Sequence, residues 1–414
     1  MIKSPITRQR KNGGIRLQKH RRQYLFLLLC FLFCDTTLAT SFPPENTPVT
    51  TGQSALSHRT LKATAPDSPV IDMHVHVAGL GYDSDCYIND TMKENFRFPF
   101  YLWALGVTVE ELEANGDQIL FEKLDSKITE SVSVDQAVVL ALDAYVENDG
   151  TINMAETQIF VPNHYIAENT ARFDTLLFGA SINPNRTDAI TQLVNAYNQG
   201  AVLVKWIPSI MNIDPADKKH TAFYRKMAEL GIPLLSHTGM EKSFASARDE
   251  LADPLRLELP LQLGVTVIAA HIATTGKSEG QDNFERIQPL FEKYPNLYTD
   301  ISSLTQINKL GYLAKAMKNP AIVDRMIYGT DWPLQFFPLI SPWYHLNHIG
   351  LKQALGVSKI SNGWDRDVAL KKAFGVPDAG FTRFNTLMPK QRTMVFQPPL
   401  KQPFWANAMN KPSP

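Results

Sequence analysis

Eight short apolar runs recur between residues 70 and 330, and they are rich in β-branched and aliphatic side chains. Apolar residues at consecutive positions are typical of strands that are buried on both faces, as in a parallel sheet. The sequence therefore predicts eight strands, over residues 70–77, 135–142, 176–182, 201–207, 232–237, 265–271, 297–301 and 326–330.

Most segments between these runs have the apolar spacing of amphipathic helices. In residues 188–198, for example, Ile190, Leu193, Val194 and Tyr197 fall on one helical face. Glycine is common directly after the last turn of a helix, and two of the segments end before one. Helices are predicted over residues 188–198, 217–230, 282–294, 306–318 and 366–374.

Eight strands that alternate with helices imply a parallel sheet with right-handed crossovers, and eight such strands can close into a (β/α)8 TIM barrel. The barrel is assigned to residues 66–376. An open doubly wound sheet is the alternative, and it is disfavoured because no Gly-x-Gly-x-x-Gly follows an early strand. The connection over residues 78–107 is long and aromatic-rich, as expected of a lid or a substrate wall.

The two ends of the chain differ in composition from the barrel region. Residues 40–65 are rich in Pro, Thr and Ser, and we interpret them as a linker. Residues 377–414 carry many prolines, and we interpret them as a tail that wraps the surface or frays. Both segments are therefore kept outside the predicted barrel.

The first 39 residues have the pattern of a targeting signal. A basic stretch precedes the apolar run at residues 24–34 and the small-x-small sequence Thr37-Leu38-Ala39. The run is about half of the roughly 20 residues that a spanning helix needs, so a cleaved signal peptide is favoured over an uncleaved anchor. Arg21 and Arg22 also fit a twin-arginine signal. We expect an exported protein, periplasmic or secreted, with no stable membrane span after cleavage.

Removal of this signal would change the charge of the chain. Eight of the 41 basic residues precede position 40, but only Asp35 of the 41 acidic residues does, so the formal net charge falls from +0 to about −7. An acidic chain is not expected to bind nucleic acid, which requires a basic face. Cys86 would be the only remaining cysteine, so the mature chain could form no internal disulfide.

His74 and His76 stand near the end of the first predicted strand. Side chains alternate along a strand, so two residues that are two positions apart point to the same side. In a barrel, that side is the interior near its carboxyl-terminal mouth. Two imidazoles that project together make half of a zinc site.

Four more polar residues lie within or directly after other predicted strands. Lys205 lies within the fourth strand, His237 ends the fifth, His271 ends the sixth and Asp331 follows the eighth. Active sites of these barrels are built at the carboxyl ends of the strands. Taken together, the residues favour one functional site over unconnected core or capping residues.

The order His-x-His, Lys, His, His and Asp resembles the amidohydrolase superfamily. It is most similar to the amidohydrolase-2 group of metal-dependent hydrolases and decarboxylases, which includes aminocarboxymuconate-semialdehyde decarboxylase. The resemblance covers residues 66–376, including the sequence GTDWP at residues 329–333. It implies a distorted (β/α)8 barrel and one divalent metal, usually zinc, held by His74, His76, His237 and Asp331.

The resemblance also implies roles for the two remaining residues. His271 would assist proton transfer or polarise the substrate. Lys205 would bridge a second metal if it is carboxylated, and would otherwise pair with a substrate carboxylate or a buried acid. Asp331 would accept a proton from a water molecule whose pKa the zinc lowers from about 15.7 to about 7.

We therefore expect a hydrolase that acts on a C–N or C–O bond of a small molecule, such as an amide, an ester or a lactone. A non-oxidative decarboxylase of the same fold is one alternative. A non-catalytic binding barrel is another, disfavoured because every metal-binding position carries a competent ligand. The substrate, the metal and the oligomeric state stay open.

Overall fold

The computed structural model describes residues 68–95 and 97–390, and eight parallel strands form the centre of this part of the chain. All eight predicted strands are present, and each is shorter than predicted. The strands are β1 (Ile71–His76), β2 (Gln136–Leu140), β3 (Leu176–Gly179), β4 (Val204–Trp206), β5 (Leu234–His237), β6 (Val267–Ala270), β7 (Leu297–Asp300) and β8 (Met326–Ile327).

The strands follow one another in chain order and belong to two hydrogen-bonded sheets. One sheet contains β1 to β3, and the other contains β4 to β8. Single parallel bridges link the sheet edges, between Ala180 and Val204 on one side and between Val75 and Trp332 on the other. The predicted α/β architecture of the (β/α)8 type is therefore present as two sheets joined by single bridges.

Helices occupy the connections between the strands. The longer predicted helices are confirmed with shifted ends. The helix over Thr221–Leu230 stops before Gly231, whose φ of 62° lies in the left-handed region that glycine adopts readily. Within the described residues, the α-helices are α1 (Asp90–Lys93), α2 (Phe98–Leu105), α3 (Val109–Asn115), α4 (Ile119–Thr129), α5 (Asn163–Thr170), α6 (Ala189–Asn198), α7 (Pro208–Met211), α8 (Thr221–Leu230), α9 (Glu258–Gln262), α10 (Asn283–Lys293), α11 (Tyr312–Ala316), α12 (Pro320–Val323), α13 (Leu346–Ser358), α14 (Gly363–Ala373) and α15 (Asp378–Thr382).

One predicted helix, over residues 306–318, is wrong as a continuous element. The segment contains a 3-10 turn at Ile307–Lys309 and then the short helix α11. Gly311 has a φ of 83° between them, which interrupts a right-handed helix. Lys309, in this turn, lines the same cavity as His237 and His271, which lie at the carboxyl ends of their strands.

Apolar side chains from the strands form two buried layers. The larger one lies between the strands and the helices and contains, for example, Val75, Val139 and Phe178. The smaller one is enclosed by the strands and contains Ile71, Leu140 and Leu235. Consecutive strand residues thus alternate between two apolar layers, which is why the sequence shows continuous apolar runs.

The packed unit extends beyond residue 376, where we had placed its end. Helix α15 follows directly, and the backbone amide of Tyr328 donates a hydrogen bond to the carbonyl of Gly380. The fully buried Phe384 belongs to the apolar layer enclosed by the strands. The predicted tail is therefore part of the core as far as Phe384.

The predicted signal segment at residues 1–39 and the linker at 40–65 lie outside the described residues. Among the helices that are described, none combines the length and the apolar character needed to cross a membrane.

Candidate metal centre

His74 and His76 both reach the mouth of the strand ring, as the alternation of side chains predicts. Strand β1 contains an irregularity, because its register with β2 shifts by one residue between Asp72 and Val75. This extra residue lets Met73 pack in the enclosed apolar layer while the next residue, His74, faces the site. The two Nε2 atoms lie 3.2 Å apart.

Asp331 meets both histidines at the same point. Its Oδ1 lies 3.5 Å from Nε2 of His74 and 3.5 Å from Nε2 of His76. The residue has a φ of 65°, in the left-handed region that Asp tolerates better than most residues. Its amide donates to the carbonyl of His74 at 2.9 Å, and its Oδ2 accepts from the Ser303 hydroxyl at 2.5 Å. The carboxylate is thus fixed against β1.

Asp300, at the end of β7, orients the ring of His74 by contacting its Nδ1 atom. Its Oδ2 lies 2.7 Å from Nδ1 of His74, and both side chains are buried. An ionised carboxylate only accepts hydrogen bonds, so Nδ1 carries the proton and Nε2 keeps its lone pair. Nε2 is the nitrogen that faces His76 and Asp331, so His74 is preset as a metal ligand.

His271, which we predict to assist proton transfer or to polarise the substrate, lies in the same group. Nδ1 of its ring lies 3.1 Å from the carbonyl oxygen of Ser302, to which it must donate. Its Nε2 is therefore an acceptor, and it lies 3.9 Å from Oδ2 of Asp331. The ring stacks on that of His74 at 5.2 Å. Within the described residues, ligand atoms of His74, His271 and Asp331 all lie within 4.8 Å of one another.

His237, which we had predicted to be a ligand, lines the same cavity but does not belong to that group of three. Its ring centroid is 5.4 Å from that of His271. Its buried Nε2 makes no hydrogen bond to the described residues, and it lies 3.4 Å from Oε2 of Glu241. The partner of His237 in the structure is therefore the carboxylate of Glu241.

Lys205 is buried in β4 and contacts the site directly. Its Nζ lies 2.9 Å from Nε2 of His74. Burial lowers the pKa of Lys205 to about 8, although the carboxylates of Asp331 and Asp300 oppose this effect. The ammonium lies beside Nε2 of His74, and within the described part of the chain it forms no ion pair with an acid.

The protonation states suit a cation. Burial, with a further effect of the Lys205 charge, lowers the pKa of His74 to about 4. Burial also lowers the pKa of His271 well below its usual value and lowers that of His237. Burial alone would raise the pKa of Asp331, but the facing imidazoles hold it well below its usual value. Near neutral pH the imidazoles of His74, His237 and His271 are therefore neutral and the carboxylate of Asp331 is ionised, as metal ligands must be.

These residues fit a divalent metal. The Nε2 atoms of His74 and His76 lie 3.2 Å apart, and Oδ1 of Asp331 lies 3.5 Å from each, so one cation could contact all three atoms. A donor set of imidazoles and one carboxylate is the type that zinc prefers. The residues that could hold the ion are His74, His76, His271 and Asp331, with His237 beside them.

A cavity of about 180 Å³ opens onto this centre. The long connection after β1, predicted to be a lid or a wall, supplies much of its apolar lining. The connection is anchored by the buried Asp117, which accepts hydrogen bonds from the amides of Leu80 and Gly81 and from the Ser84 hydroxyl. The lining residues from the connection are Ala78, Leu80, Ile88, Met92, Phe98, Tyr101, Leu102 and Leu105.

Sequence reasoning missed four residues that shape this centre. Asp300 lies one residue before the end of the seventh predicted strand, so a search for polar residues near strand ends would also have selected it. Ser303, Lys309 and Glu241 lie in irregular segments, and no spacing in the sequence distinguishes them.

A family model described as amidohydrolase (Amidohydro_2) matches residues 71–349 of the chain. This range contains His74, His76, Lys205, His237, His271 and Asp331. No curated protein sequence matches the chain significantly.

Several solved structures are similar in part. An uncharacterized TIM-barrel protein from Bordetella bronchiseptica shares 16% identity with a TM-score of 0.47, covering 77% of this chain and 98% of that one. A probable 2-pyrone-4,6-dicarboxylic acid hydrolase from Acinetobacter baumannii shares 16% identity with a TM-score of 0.44, covering 78% and 97%. A 5-carboxyvanillate decarboxylase from Sphingomonas paucimobilis shares 10% identity with a TM-score of 0.42, covering 76% and 99%.

Proposed function

This chain belongs to the amidohydrolase (Amidohydro_2) family, and on that premise we propose that it is a metal-dependent hydrolase of a C–N or C–O bond, such as that of an amide, an ester or a lactone. One observation carries the proposal. The Nε2 atoms of His74 and His76 and the Oδ1 of Asp331 converge within 3.5 Å of one another, at the base of an apolar cavity.

In this proposal His74, His76, His271 and Asp331 hold one divalent ion, with zinc as the first candidate. Such an ion supplies Lewis acidity and lowers the pKa of water from about 15.7 to about 7. Asp300 keeps the Nε2 of His74 free to bind by holding the proton on Nδ1. The carbonyl of Ser302 does the same for His271.

Asp331 is the residue placed to move a proton. Its carboxylate is ionised, and the Ser303 hydroxyl already occupies Oδ2, so the group is held in one orientation. It would accept a proton from the attacking water and pass it to the leaving group. His271 keeps a lone pair on Nε2, so it would act as a ligand or a base and not as a donor to the substrate oxyanion.

Lys205 decides between one metal and two. As an ammonium 2.9 Å from Nε2 of His74, it repels a nearby cation and favours one ion. If its amine reacted with carbon dioxide to form a carbamate, the same position would carry a negative bridging group. A pKa of about 8 leaves a fraction of the amine uncharged and reactive near neutral pH.

The test measures metal content and activity on the same preparation. We expect about one divalent ion per chain, lost in His74→Ala/His76→Ala and kept in the matched double variant His164→Ala/His348→Ala, which changes two exposed histidines. Hydrolysis of a panel of amides, esters and lactones would identify the reaction. Release of carbon dioxide from aromatic carboxylates, without hydrolysis, would assign a decarboxylase instead. Absence of metal from the unmodified protein would overturn the catalytic proposal and leave a binding barrel.

A further inference from the structure

We propose that Lys309 binds an anionic group of the substrate, so that the enzyme selects molecules with an apolar body and one carboxylate. This inference names a substrate class for the site proposed above, and so it rests on that function. It follows from the contacts that the charged groups of the cavity make.

Most of the cavity is apolar. Side chains such as Leu80, Met92 and Leu102 cover the side formed by the connection after β1, and Phe244 and Leu334 come from other loops. An apolar wall of this kind stabilises an aliphatic or aromatic body through the hydrophobic effect. The polar groups are few, so each one has a strong influence on what can bind.

The two carboxylates that line the cavity each have contacts of their own. Asp331 lies against His74, His76 and the Ser303 hydroxyl. Glu241 is almost fully buried, faces Nε2 of His237, and accepts a hydrogen bond from the amide of Ser243 at 2.6 Å. Among the described residues, neither carboxylate forms an ion pair with a lysine of the cavity.

Among the described residues, Lys309 is a half-buried cation of the cavity whose ammonium has no hydrogen-bond or ion-pair partner. Lys205 contacts His74, and Lys242 is exposed at the rim, where water and salt screen its charge. Within residues 68–95 and 97–390, the ammonium of Lys309 makes no hydrogen bond and no ion pair. Its surroundings are dry enough for burial to lower its pKa, although Asp331 and Glu241 oppose this effect. A half-buried cation of this kind binds an anion more strongly than an exposed one does.

The formal charge of the site also favours an anionic substrate. Lys205 and Lys309 give the centre two positive charges, and Asp300, Asp331 and Glu241 give it three negative charges. The formal charge is therefore −1 without a metal, and a divalent ion would change it to +1. With a neutral water on the ion, this positive charge would attract a substrate carboxylate.

The backbone that carries Lys309 is fixed relative to the metal centre. The Lys309 amide donates to the carbonyl of Gln306 at 2.9 Å, and the Ile307 amide donates to that of Leu339 at 2.8 Å. The side-chain amide of Gln306 donates to the Ser303 hydroxyl oxygen at 3.2 Å, and that hydroxyl donates to Asp331. The stem of Lys309 is thus held at a set position beside the catalytic carboxylate, as positioning of a substrate group requires.

The experiment compares two probes with the same apolar body, 4-phenylbutyrate and the neutral 4-phenylbutanol. Binding is measured by titration calorimetry on the full chain, both as purified and after metal removal, with metal content recorded. We expect the carboxylate to bind at least tenfold more tightly than the alcohol. Lys309→Met should remove that difference without weakening the alcohol, and Lys309→Arg should keep most of it. Lys318→Met changes an exposed lysine outside the cavity and should have no effect.

Equal binding of the two probes, or binding of neither, would overturn the inference. So would loss of the difference in Lys205→Met with retention in Lys309→Met. Failure of the proposed function is a separate result, because metal content is measured independently. A protein that holds metal and hydrolyses esters, but shows no effect of Lys309→Met, would keep the function and lose this inference. If the protein holds no metal but still binds the carboxylate more tightly than the alcohol through Lys309, the inference would stand and the proposed function would be lost.

Discussion

Asp300 and His74 lie 226 residues apart in the chain, and a 2.7 Å contact between Oδ2 and Nδ1 joins them. The other oxygen of Asp300 accepts from the amides of His271 and Ser302 and from the Ser302 hydroxyl. One buried carboxylate therefore orients His74 and also holds the backbone that carries His271.

We predict that Asp300→Asn lowers metal affinity by about 10- to 100-fold, a typical effect of changing the partner of a ligating histidine. An amide cannot present acceptors to all these donors, because one of its two sides is itself a donor. Competition with a chromogenic chelator would measure the change. Asp143→Asn is the control, since Asp143 is a buried carboxylate that pairs with Arg186 outside the cavity. Equal affinities in Asp300→Asn and the unmodified protein would contradict the role.

Replacement of Lys205 by Met should strengthen the binding of a single metal ion several-fold, because it removes a positive charge 2.9 Å from the ligand atom of His74. Metal content and chelator competition would measure this effect. Lys371→Met is a matched control, as Lys371 is buried but pairs with Asp367. A fall from two ions to one in Lys205→Met would instead show that Lys205 is a carboxylated bridge.

His220 should make stability depend on pH. It is buried, and neither ring nitrogen has a hydrogen-bond partner among the described residues. Burial lowers its pKa to about 4. In the unfolded state His220 binds a proton below about pH 6.5, whereas in the folded state it does so only below about pH 4. The free energy of unfolding therefore decreases as the pH falls through this range.

We predict that His220→Phe removes this loss, so that the variant gains on the order of 2–3 kcal/mol relative to the unmodified protein between pH 7.5 and 4.5. Urea unfolding at the two pH values would measure the difference. His164→Phe, at a half-exposed position, should show no such change. The same pH dependence in His220→Phe and the unmodified protein would refute the assignment.

Asp117→Ala should loosen the connection that forms the apolar wall. The change removes the acceptor for two amides and one hydroxyl, and hydrogen bonds to a charged group contribute about 1.5–3 kcal/mol each. We expect faster proteolysis within residues 78–86 and a higher KM for substrates. Asp85→Asn changes an exposed acid in the same segment and should leave both unaltered. If cleavage of this segment is no faster in Asp117→Ala, the anchoring role is wrong.

The strands and the first two site residues could be predicted because they follow from local rules. Continuous apolar runs located all eight strands, and alternation placed His74 and His76 on one side. The register shift in β1 is different, since it depends on how β1 pairs with β2, and the sequence of β1 alone does not contain that information.

The relation of His237 to His271 could not be predicted for a similar reason. Both residues follow the same pattern, a histidine at the end of a predicted strand, so the sequence does not distinguish their roles. The structure separates them because Glu241 faces His237, whereas the carbonyl of Ser302 orients His271 toward Asp331. These partners come from loops whose paths are set by tertiary packing, not by local pattern.

The single bridge between Val75 and Trp332 places the candidate metal centre where the first strand meets the segment after the last one. Asp72 and Thr330, which are bonded across the same junction, are 258 residues apart. During synthesis, a nascent chain that already contains the first seven strands therefore contains His74, His76 and His271 but not yet Asp331. A chain that stops before Asp331 lacks this ligand, so tight metal retention would distinguish finished molecules from interrupted ones.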